Sequence, residues 1–143
     1  MATVLVVDDD PDIRTMLTMA LALDGHRVSS GHDGGSGIEE LRRLVGDGER
    51  PVVILDVEMP GLDGWAVLEL IRSDPDLDDV PVTICTVKAH QPDIDRGASL
   101  GCDAYQSKPF DIGALSQHVT ELAERDPTEL RAVRELERER VSG

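Results

Sequence analysis

The sequence predicts an α/β fold in which helices cover both sides of a parallel sheet. Short runs of aliphatic and β-branched residues alternate along the chain with segments of helical periodicity, an order that is typical of βαβ units. The run Val52-Val53-Ile54-Leu55 shows no alternation of apolar and polar residues. Such a run indicates a strand that is buried on both faces, as in a doubly wound sheet.

Ten elements are predicted in strict alternation. The strands are expected at 3–7, 26–30, 51–55, 80–86 and 103–107, and the helices at 11–23, 34–45, 64–73, 90–100 and 111–125. The first helix has the clearest ends, because Asp10 suits the N-cap, Pro11 the first turn and Gly25 the C-cap. Three glycines make the first turn of the second helix intrinsically poor.

The chain of 143 residues is expected to hold one domain, at 1–126, and a short extension at 127–143. The extension contains four Arg and four Glu, so the whole net charge of −15 belongs to the domain. Pro127 suits the start of a further helix. This helix has only a thin apolar stripe, which is compatible with packing on the domain or a partner and equally with a solvated linker.

Composition excludes several classes of function. A net charge of −15 disfavours binding to nucleic acid and to anionic membranes. Two cysteines do not make a disulfide framework, so reduced thiols are expected. The sequence has no recognisable signal peptide and no apolar stretch long enough to span a bilayer. A cytoplasmic protein is therefore the expectation.

Acidic residues follow two of the predicted strands. Asp56 ends the third strand, and Asp8 and Asp9 end the first. Ligands of open α/β folds bind at this carboxyl edge of the sheet. Asp10 is explained as a helix cap, whereas Asp8 and Asp9 have no evident structural role. If these three carboxylates lie together, their mutual repulsion requires a positive partner.

The fourth and fifth strands end in a hydroxyl and an ammonium group. Thr86 closes the fourth strand, and Lys108, one of only two lysines, follows the fifth. Lys108 precedes Pro109, so the peptide bond between them is a candidate for the cis form. Three neighbouring carboxylates favour Mg²⁺. Asp56 is then a candidate nucleophile toward phosphorus, with Lys108 and Thr86 holding the phosphoryl oxygens.

These residues, in this order, resemble the receiver domain of two-component response regulators. The resemblance covers roughly residues 3 to 125 and rests on VVDDDP, LDVEMPGLDG, the strand that ends at Thr86, and GCDAYQSKPF. It implies a flavodoxin-like strand order, 2-1-3-4-5. In that order the first and third strands are neighbours, so Asp8, Asp9 and Asp56 would share one pocket.

The resemblance also implies roles for the acids. Asp56 would accept a phosphoryl group from a histidine kinase or a phosphotransfer protein. Asp9 and Asp56 would bind Mg²⁺ directly and Asp8 through water, and Glu58 would offer its backbone carbonyl. The domain would be no enzyme in its own right, although it would assist its own phosphotransfer and dephosphorylation.

Thr86 and Tyr105 resemble the switch pair of this family. On phosphorylation the hydroxyl would move toward the phosphoryl group, and the ring would turn inward behind it. The surface of the fourth helix, fifth strand and fifth helix would then change its affinity for a downstream protein. A half-buried strand aromatic without a switching role is the alternative for Tyr105.

Two neighbours of these residues lead to a hypothesis about the lifetime of the phosphoryl group. Val87 occupies a position where the family usually has a small residue. Glu58 and Lys88 each lie two residues beyond a site residue and are expected across the pocket mouth from each other. Both features would slow hydrolysis of an aspartyl phosphate.

Three alternatives stay open. A receiver-like domain can act as a scaffold without being phosphorylated. A phosphatase of the haloacid dehalogenase type also uses an aspartyl phosphate, but Glu58 replaces the second Asp of its signature. A flavodoxin-like cofactor protein would need phosphate donors where this chain has three acids. Since no output motif is apparent, the sequence predicts a stand-alone receiver or one whose linker begins after Pro127.

Overall fold

The structure is a computed structural model that describes residues 2–87, 90–109 and 111–143. Within these ranges five parallel strands form one sheet in the order β2-β1-β3-β4-β5. The strands are β1 (Thr3–Val7), β2 (Arg27–Gly31), β3 (Val52–Leu55), β4 (Val82–Thr86) and β5 (Ala104–Ser107). The helices are α1 (Pro11–Leu23), α2 (Gly34–Gly46), α3 (Gly64–Ser73), α4 (Gln91–Leu100), α5 (Ile112–Glu124) and α6 (Pro127–Ser142). The predicted fold class and strand order are confirmed.

The sheet separates two apolar layers. Leu5 and Val7 of β1 belong to the layer that α2 and α3 cover, whereas Val4 and Val6 belong to the layer under α1 and α5. Successive side chains of a strand point to opposite faces, so a strand between two layers must be apolar at every position. This requirement explains the unbroken apolar runs of the sequence.

Aspartates begin most of the helices. The side chain of Asp10 accepts hydrogen bonds from the backbone N–H groups of Asp12 and Ile13, which confirms its predicted role as N-cap. The same kind of cap occurs at Asp33, Asp63, Asp111 and Asp126. Each cap contributes about 1 kcal/mol to stability. Five of the 29 acidic residues therefore serve as helix caps.

Close packing explains Gly37 in the first turn of α2. A Cβ atom at Gly37 would lie 2.8 Å from both Cγ atoms of Val7. The helix can approach β1 at this distance only where the side chain is absent. The glycine lowers the helix propensity of the first turn, but it allows the helix to pack closely on the sheet.

The helix predicted after Pro127 is present and packs on the rest of the molecule. Leu130 is only 3% exposed and belongs to the layer under α1 and α5. Arg134 is also buried. The sequence left both a packed helix and a solvated linker open, and the structure shows the packed helix. Among the described residues, no helix combines the length and apolarity that crossing a membrane requires.

Candidate functional site

Three carboxylates meet at the carboxyl edge of the sheet. The neighbouring positions of β1 and β3 bring them together, and the N–H of Asp56 donates to the carbonyl of Val7 over 2.9 Å. Asp8, Asp9 and Asp56 each offer an oxygen, and these oxygens all lie within 4.8 Å of one another. Asp8 and Asp56 are buried and Asp9 is exposed. The predicted acidic cluster is therefore present.

Lys108 balances part of this charge. Its Nζ atom lies 2.7 Å from Oδ2 of Asp8 and 3.5 Å from Oδ2 of Asp56. Burial opposes the charge on Lys108, but the hydrogen bond to Asp8 and the attraction of Asp56 outweigh it and raise the pKa of the lysine. The peptide bond to Pro109 is cis, as predicted.

Thr86 connects the acidic cluster to β4. Its side chain is fully buried and lies close enough to the carboxylate of Asp56 to lower the pKa of that group. The backbone carbonyl of Thr86 accepts from the N–H of Lys108 over 2.8 Å. The two polar strand ends that the sequence singled out thus converge on Asp56 from β4 and β5.

The environment of Asp56 favours its neutral form. Burial raises the pKa of this carboxyl group, the ammonium of Lys108 lowers it, and the nearby Asp8 raises it again. Hydrogen bonds from Thr86 and from the N–H of Glu58 lower it further, yet the net direction is upward. An acid whose charge is this costly gains from any additional cation in the pocket.

Glu58 lies beside the cluster but contributes no carboxylate to it. Its side chain is exposed and lines a groove together with Asp9, Asp63, Trp65 and Arg96. The guanidinium of Arg96 stacks 4.7 Å above the centroid of the Trp65 ring. The expected role of Glu58 concerns its backbone carbonyl, and this role stays a prediction.

Tyr105 is half-buried and packs against α4. A Cβ atom at Gly97 of α4 would lie 3.1 Å from Cδ2 of the Tyr105 ring. Burial raises the pKa of Tyr105 to about 12, and the charges of Asp93, Cys102 and Asp56 act in the same direction. The phenol therefore stays protonated at neutral pH. Its switching role is a prediction.

The hypothesis about phosphoryl lifetime concerns Val87 and the expected pair of Glu58 and Lys88. Val87 follows Thr86 directly and is 66% exposed. The predicted pairing of Glu58 with Lys88 lies outside the described residues. Of the two features in the hypothesis, the one at Val87 belongs to the residues that the structure describes.

Two residues that support the site were missed by the sequence analysis. Arg14 of α1 donates from Nη1 to the carbonyl of Asp8 over 2.7 Å. Gly64, the first residue of α3, packs against the backbone of Asp56 and Val57, where a Cβ atom would lie 2.7 Å from Cα of Val57. The pair Asp63-Gly64 at the start of α3 was a possible signal for Gly64, whereas the sequence offers no such signal for Arg14.

The residues present fit Mg²⁺. The donor set consists of carboxylate oxygens, which this hard cation prefers. If all groups ionise, three carboxylates and one ammonium leave two negative charges at the cluster. A divalent cation would balance them. Asp8, Asp9 and Asp56 are the residues that offer ligand atoms.

Comparison with known proteins assigns the family. The model of the response regulator receiver domain matches residues 4–120. The chain belongs to this family. A probable transcriptional regulatory protein of Mycobacterium tuberculosis, TcrX, is 42% identical over 112 residues, which are 77% of this chain and 44% of that protein. Protein PilH of Pseudomonas aeruginosa is 36% identical over 80% of this chain and 92% of its own length.

Solved receiver structures share the fold. The receiver domain of a Francisella response regulator has 30% sequence identity and a TM-score of 0.75, and the match covers 87% of this chain and 98% of that one. The chemotaxis protein CheY4 of Vibrio cholerae gives 26% identity and the same TM-score of 0.75, over 85% and 98% of the two chains.

Relatives differ in how much of their length this receiver accounts for. The chain spans about half the length of several curated relatives, including TcrX and the transcriptional regulatory protein AfsQ1 of Streptomyces coelicolor, of which it covers 44% and 54%. It spans nearly all of PilH. Family membership favours a receiver over the phosphatase and flavodoxin-like alternatives. A phosphorylated receiver and an unphosphorylated scaffold both belong to this family.

Proposed function

We propose that this receiver accepts a phosphoryl group on Asp56 from the phosphohistidine of a histidine kinase or a phosphotransfer protein. The observation that carries the proposal is the convergence of two groups on Asp56. Lys108 lies 3.5 Å from its carboxylate, and the buried side chain of Thr86 lies beside it. A carboxylate flanked by a cation and a hydroxyl suits phosphoryl transfer, which depends on positioning and on charge stabilisation.

In the proposed reaction an oxygen of Asp56 attacks phosphorus. The P–N bond of the donor breaks, its electron pair returns to the imidazole, and a P–O bond to Asp56 forms. Lys108 and Thr86 then hold two of the non-bridging oxygens. Lys108 would exchange part of its contact with Asp8 for the phosphoryl group. Attack of water on phosphorus later returns Asp56 to its free form.

The acidic cluster supplies the cation site for this reaction. Asp9 and Asp56 would bind Mg²⁺ directly, Asp8 would act through water, and Glu58 would offer its backbone carbonyl. Bound there, Mg²⁺ supplies positive charge that offsets the charge of the phosphoryl oxygens. The protein's own task is to hold the oxygens of three carboxylates within 4.8 Å of one another.

The proposed output is a change in protein–protein affinity. Thr86 would move toward the phosphoryl group and Tyr105 would turn inward, which alters the surface of α4, β5 and α5 for a downstream protein. The packing of the Tyr105 ring on Gly97 supports this route, because a movement of the ring toward Gly97 would displace α4. Residues 1–126 would form the switch and residues 127–143 its extension.

Intact mass spectrometry tests the proposal. The chain is incubated with Mg²⁺ and phosphoramidate, alongside Asp56→Asn and the control Asp76→Asn, which changes an exposed acid. We expect the wild type and the control to gain one phosphoryl group and Asp56→Asn to gain none. A gain that persists in Asp56→Asn would refute Asp56 as the acceptor.

A small donor tests only part of the proposal, because Val87, the exposed residue that follows Thr86, would hinder its entry. Binding of beryllofluoride, measured by the fluorescence of Trp65, needs no transfer step. Trp65 is the only tryptophan and lines the groove next to Asp9. Absence of both phosphorylation and beryllofluoride binding would favour the scaffold.

A further inference from the structure

A buried carboxylate joins α6 to the start of β5. Oδ1 of Asp103 lies 2.8 Å from Nη1 of Arg134 in α6, and Oδ2 lies 2.9 Å from Nη2 of Arg72 in α3. The N–H of Val82 also donates to Oδ2 over 2.8 Å. The side chain of Asp103 is 1% exposed and that of Arg134 is 5% exposed. A buried charge loses much of its stabilisation when one partner leaves, so this contact specifies where α6 lies.

Other contacts of α6 reach α4 and the segment before β4. Nε of Arg138 donates to the carbonyl of Ser99 near the end of α4 over 3.1 Å. Nη2 of Arg134 donates to the carbonyl of Asp78 over 3.3 Å. Arg131 forms an ion pair with Asp79. Three arginines thus attach α6 to the C-terminal end of α4 and to the segment that leads into β4.

The same two elements, α4 and β5, lead to the candidate site. Asp103 and Lys108 lie just beyond the two ends of β5, and Tyr105 lies between them. Gly97 packs against the Tyr105 ring and against Sγ of Cys102 at a distance that leaves no room for a Cβ atom without a shift of its neighbours. A movement of the Tyr105 ring toward Gly97 would therefore displace α4 or be opposed by it.

We infer that docking of α6 is coupled to phosphorylation of Asp56, and that the phosphoryl group weakens the docking. The inference rests on the proposed function. In the docked arrangement, Arg134 lies 2.8 Å from Asp103 and Arg138 lies 3.1 Å from the carbonyl of Ser99, so a displacement of either partner lengthens a contact that is now at hydrogen-bonding distance. A shift of α4 or β5 toward the phosphorylated state lengthens these contacts. α6 therefore acts as a clamp that holds the receiver in its unphosphorylated state.

Linkage makes the coupling measurable from both ends. If a phosphoryl mimic weakens docking by some factor, then loss of docking strengthens binding of the mimic by the same factor. Couplings of this kind typically amount to about 5- to 150-fold. Release of α6 would also uncover the acidic surface around Asp78, Asp79 and Asp103.

The first experiment uses the unmodified chain. Hydrogen exchange of peptides from α6 is followed with Mg²⁺ alone and with Mg²⁺ plus saturating beryllofluoride. We expect faster exchange in α6 when the mimic is bound. Unchanged or slower exchange, with binding verified by Trp65 fluorescence, overturns the inference and leaves the proposed function intact.

The second experiment measures beryllofluoride affinity in two variants that each remove one positive charge. Arg134→Ala breaks the buried contact, whereas the control Arg140→Ala removes an exposed arginine paired with Glu137. We expect Arg134→Ala to bind beryllofluoride at least about fivefold more tightly than the wild type does. The control should have wild-type affinity. Equal affinities overturn the coupling. Absence of binding by every variant, including the wild type, overturns the proposed function as well.

Arg134→Ala removes a buried side chain, so its folding has to be verified by circular dichroism. Arg138→Ala provides a milder variant, because this side chain is 43% exposed and, among the described residues, its hydrogen bond to another helix goes to the carbonyl of Ser99. The same direction of change, with a smaller magnitude, is expected. Weaker binding of the mimic by both arginine variants would reverse the inferred sign and refute the clamp.

Discussion

Nζ of Lys108 lies 2.7 Å from Oδ2 of Asp8, a residue 100 positions earlier in the chain. This pair joins the ends of β5 and β1 across the two strands that lie between them in the sheet. Both side chains are largely buried, at 15% and 5% exposure. The lysine therefore neutralises part of the charge of the acidic cluster.

The first prediction concerns loss of this lysine. Lys108→Ala leaves Asp8 and Asp56 buried without their cation, so we expect the free energy of unfolding to fall by about 1–3 kcal/mol. The effect is present at neutral pH, because the raised pKa of Lys108 keeps it charged there. Urea unfolding in EDTA measures it.

Lys108→Arg is the matched control, since it preserves the charge and should lose less stability. Added Mg²⁺ should restore part of the loss in Lys108→Ala, because it supplies positive charge to the same carboxylates. Equal stability of Lys108→Ala and the wild type in EDTA would contradict the structural role given to this ion pair.

The second prediction is that Asp56→Asn stabilises the metal-free chain. Burial raises the pKa of Asp56, so the folded chain holds this proton more tightly than the unfolded chain does. Stability therefore falls as the pH rises from the unfolded pKa, about 3.9, through the higher folded value, and the full penalty applies above that value. Asparagine removes the penalty.

Thermal unfolding in EDTA across this pH range checks the sign. Asp56→Asn should have the higher midpoint at pH 7, and the gap should close on acidification. Mg²⁺ should narrow the gap at pH 7 by favouring the wild-type carboxylate. Asp76→Asn changes an exposed acid and should leave the midpoint unchanged. A lower midpoint for Asp56→Asn at pH 7 would show that its charge is stabilising.

The third prediction concerns the glycine that supports Asp56. Gly64→Ala places a Cβ atom in overlap with the backbone carbonyl of Asp56 and 2.7 Å from Cα of Val57. Overpacking of this kind costs about 1–3 kcal/mol. We also expect slower phosphorylation, since the backbone that carries the acceptor must shift. Gly46→Ala is the control, because among the described residues its added Cβ would meet no heavy atom within 4 Å apart from its chain neighbours and the backbone of its own helix.

Local signals explain which parts of the fold could be predicted. The bounds of α1 and α3 agree with prediction at both ends, because an aspartate cap, a proline or a glycine marks each boundary within a few residues. β4 begins at Val82 rather than at residue 80. Val80 instead donates its N–H to the carbonyl of Leu77 in a turn, and Pro81 has no N–H for the ladder.

The candidate site was predictable to the extent that its residues follow strands. Asp8, Asp56 and Lys108 lie one position after a strand, and strand order alone brings such positions together. Arg14 and Arg134 act through long side chains whose partners depend on how helices pack. No spacing in the sequence relates Arg134 to Asp103, which is 31 residues away.

The last prediction concerns the lifetime of the phosphoryl group. Val87 directly follows Thr86 and is 66% exposed, so its branched side chain lies outside the core and next to a residue of the site. We expect it to hinder the approach of water to phosphorus. Val87→Ala should therefore speed hydrolysis. A barrier lower by about 1 kcal/mol corresponds to roughly a fivefold faster rate, and we expect a change of this order.

The rate is measured by intact mass after removal of the phosphodonor. Leu23→Ala, an apolar truncation at a residue 86% exposed at the far end of α1, is the control and should hydrolyse at the wild-type rate. Because Val87 is exposed, its truncation should leave the unfolding midpoint nearly unchanged, so a faster rate would not reflect a loosened fold. If Val87→Ala and the wild type lose the phosphoryl group equally fast, access of water is not what limits its lifetime.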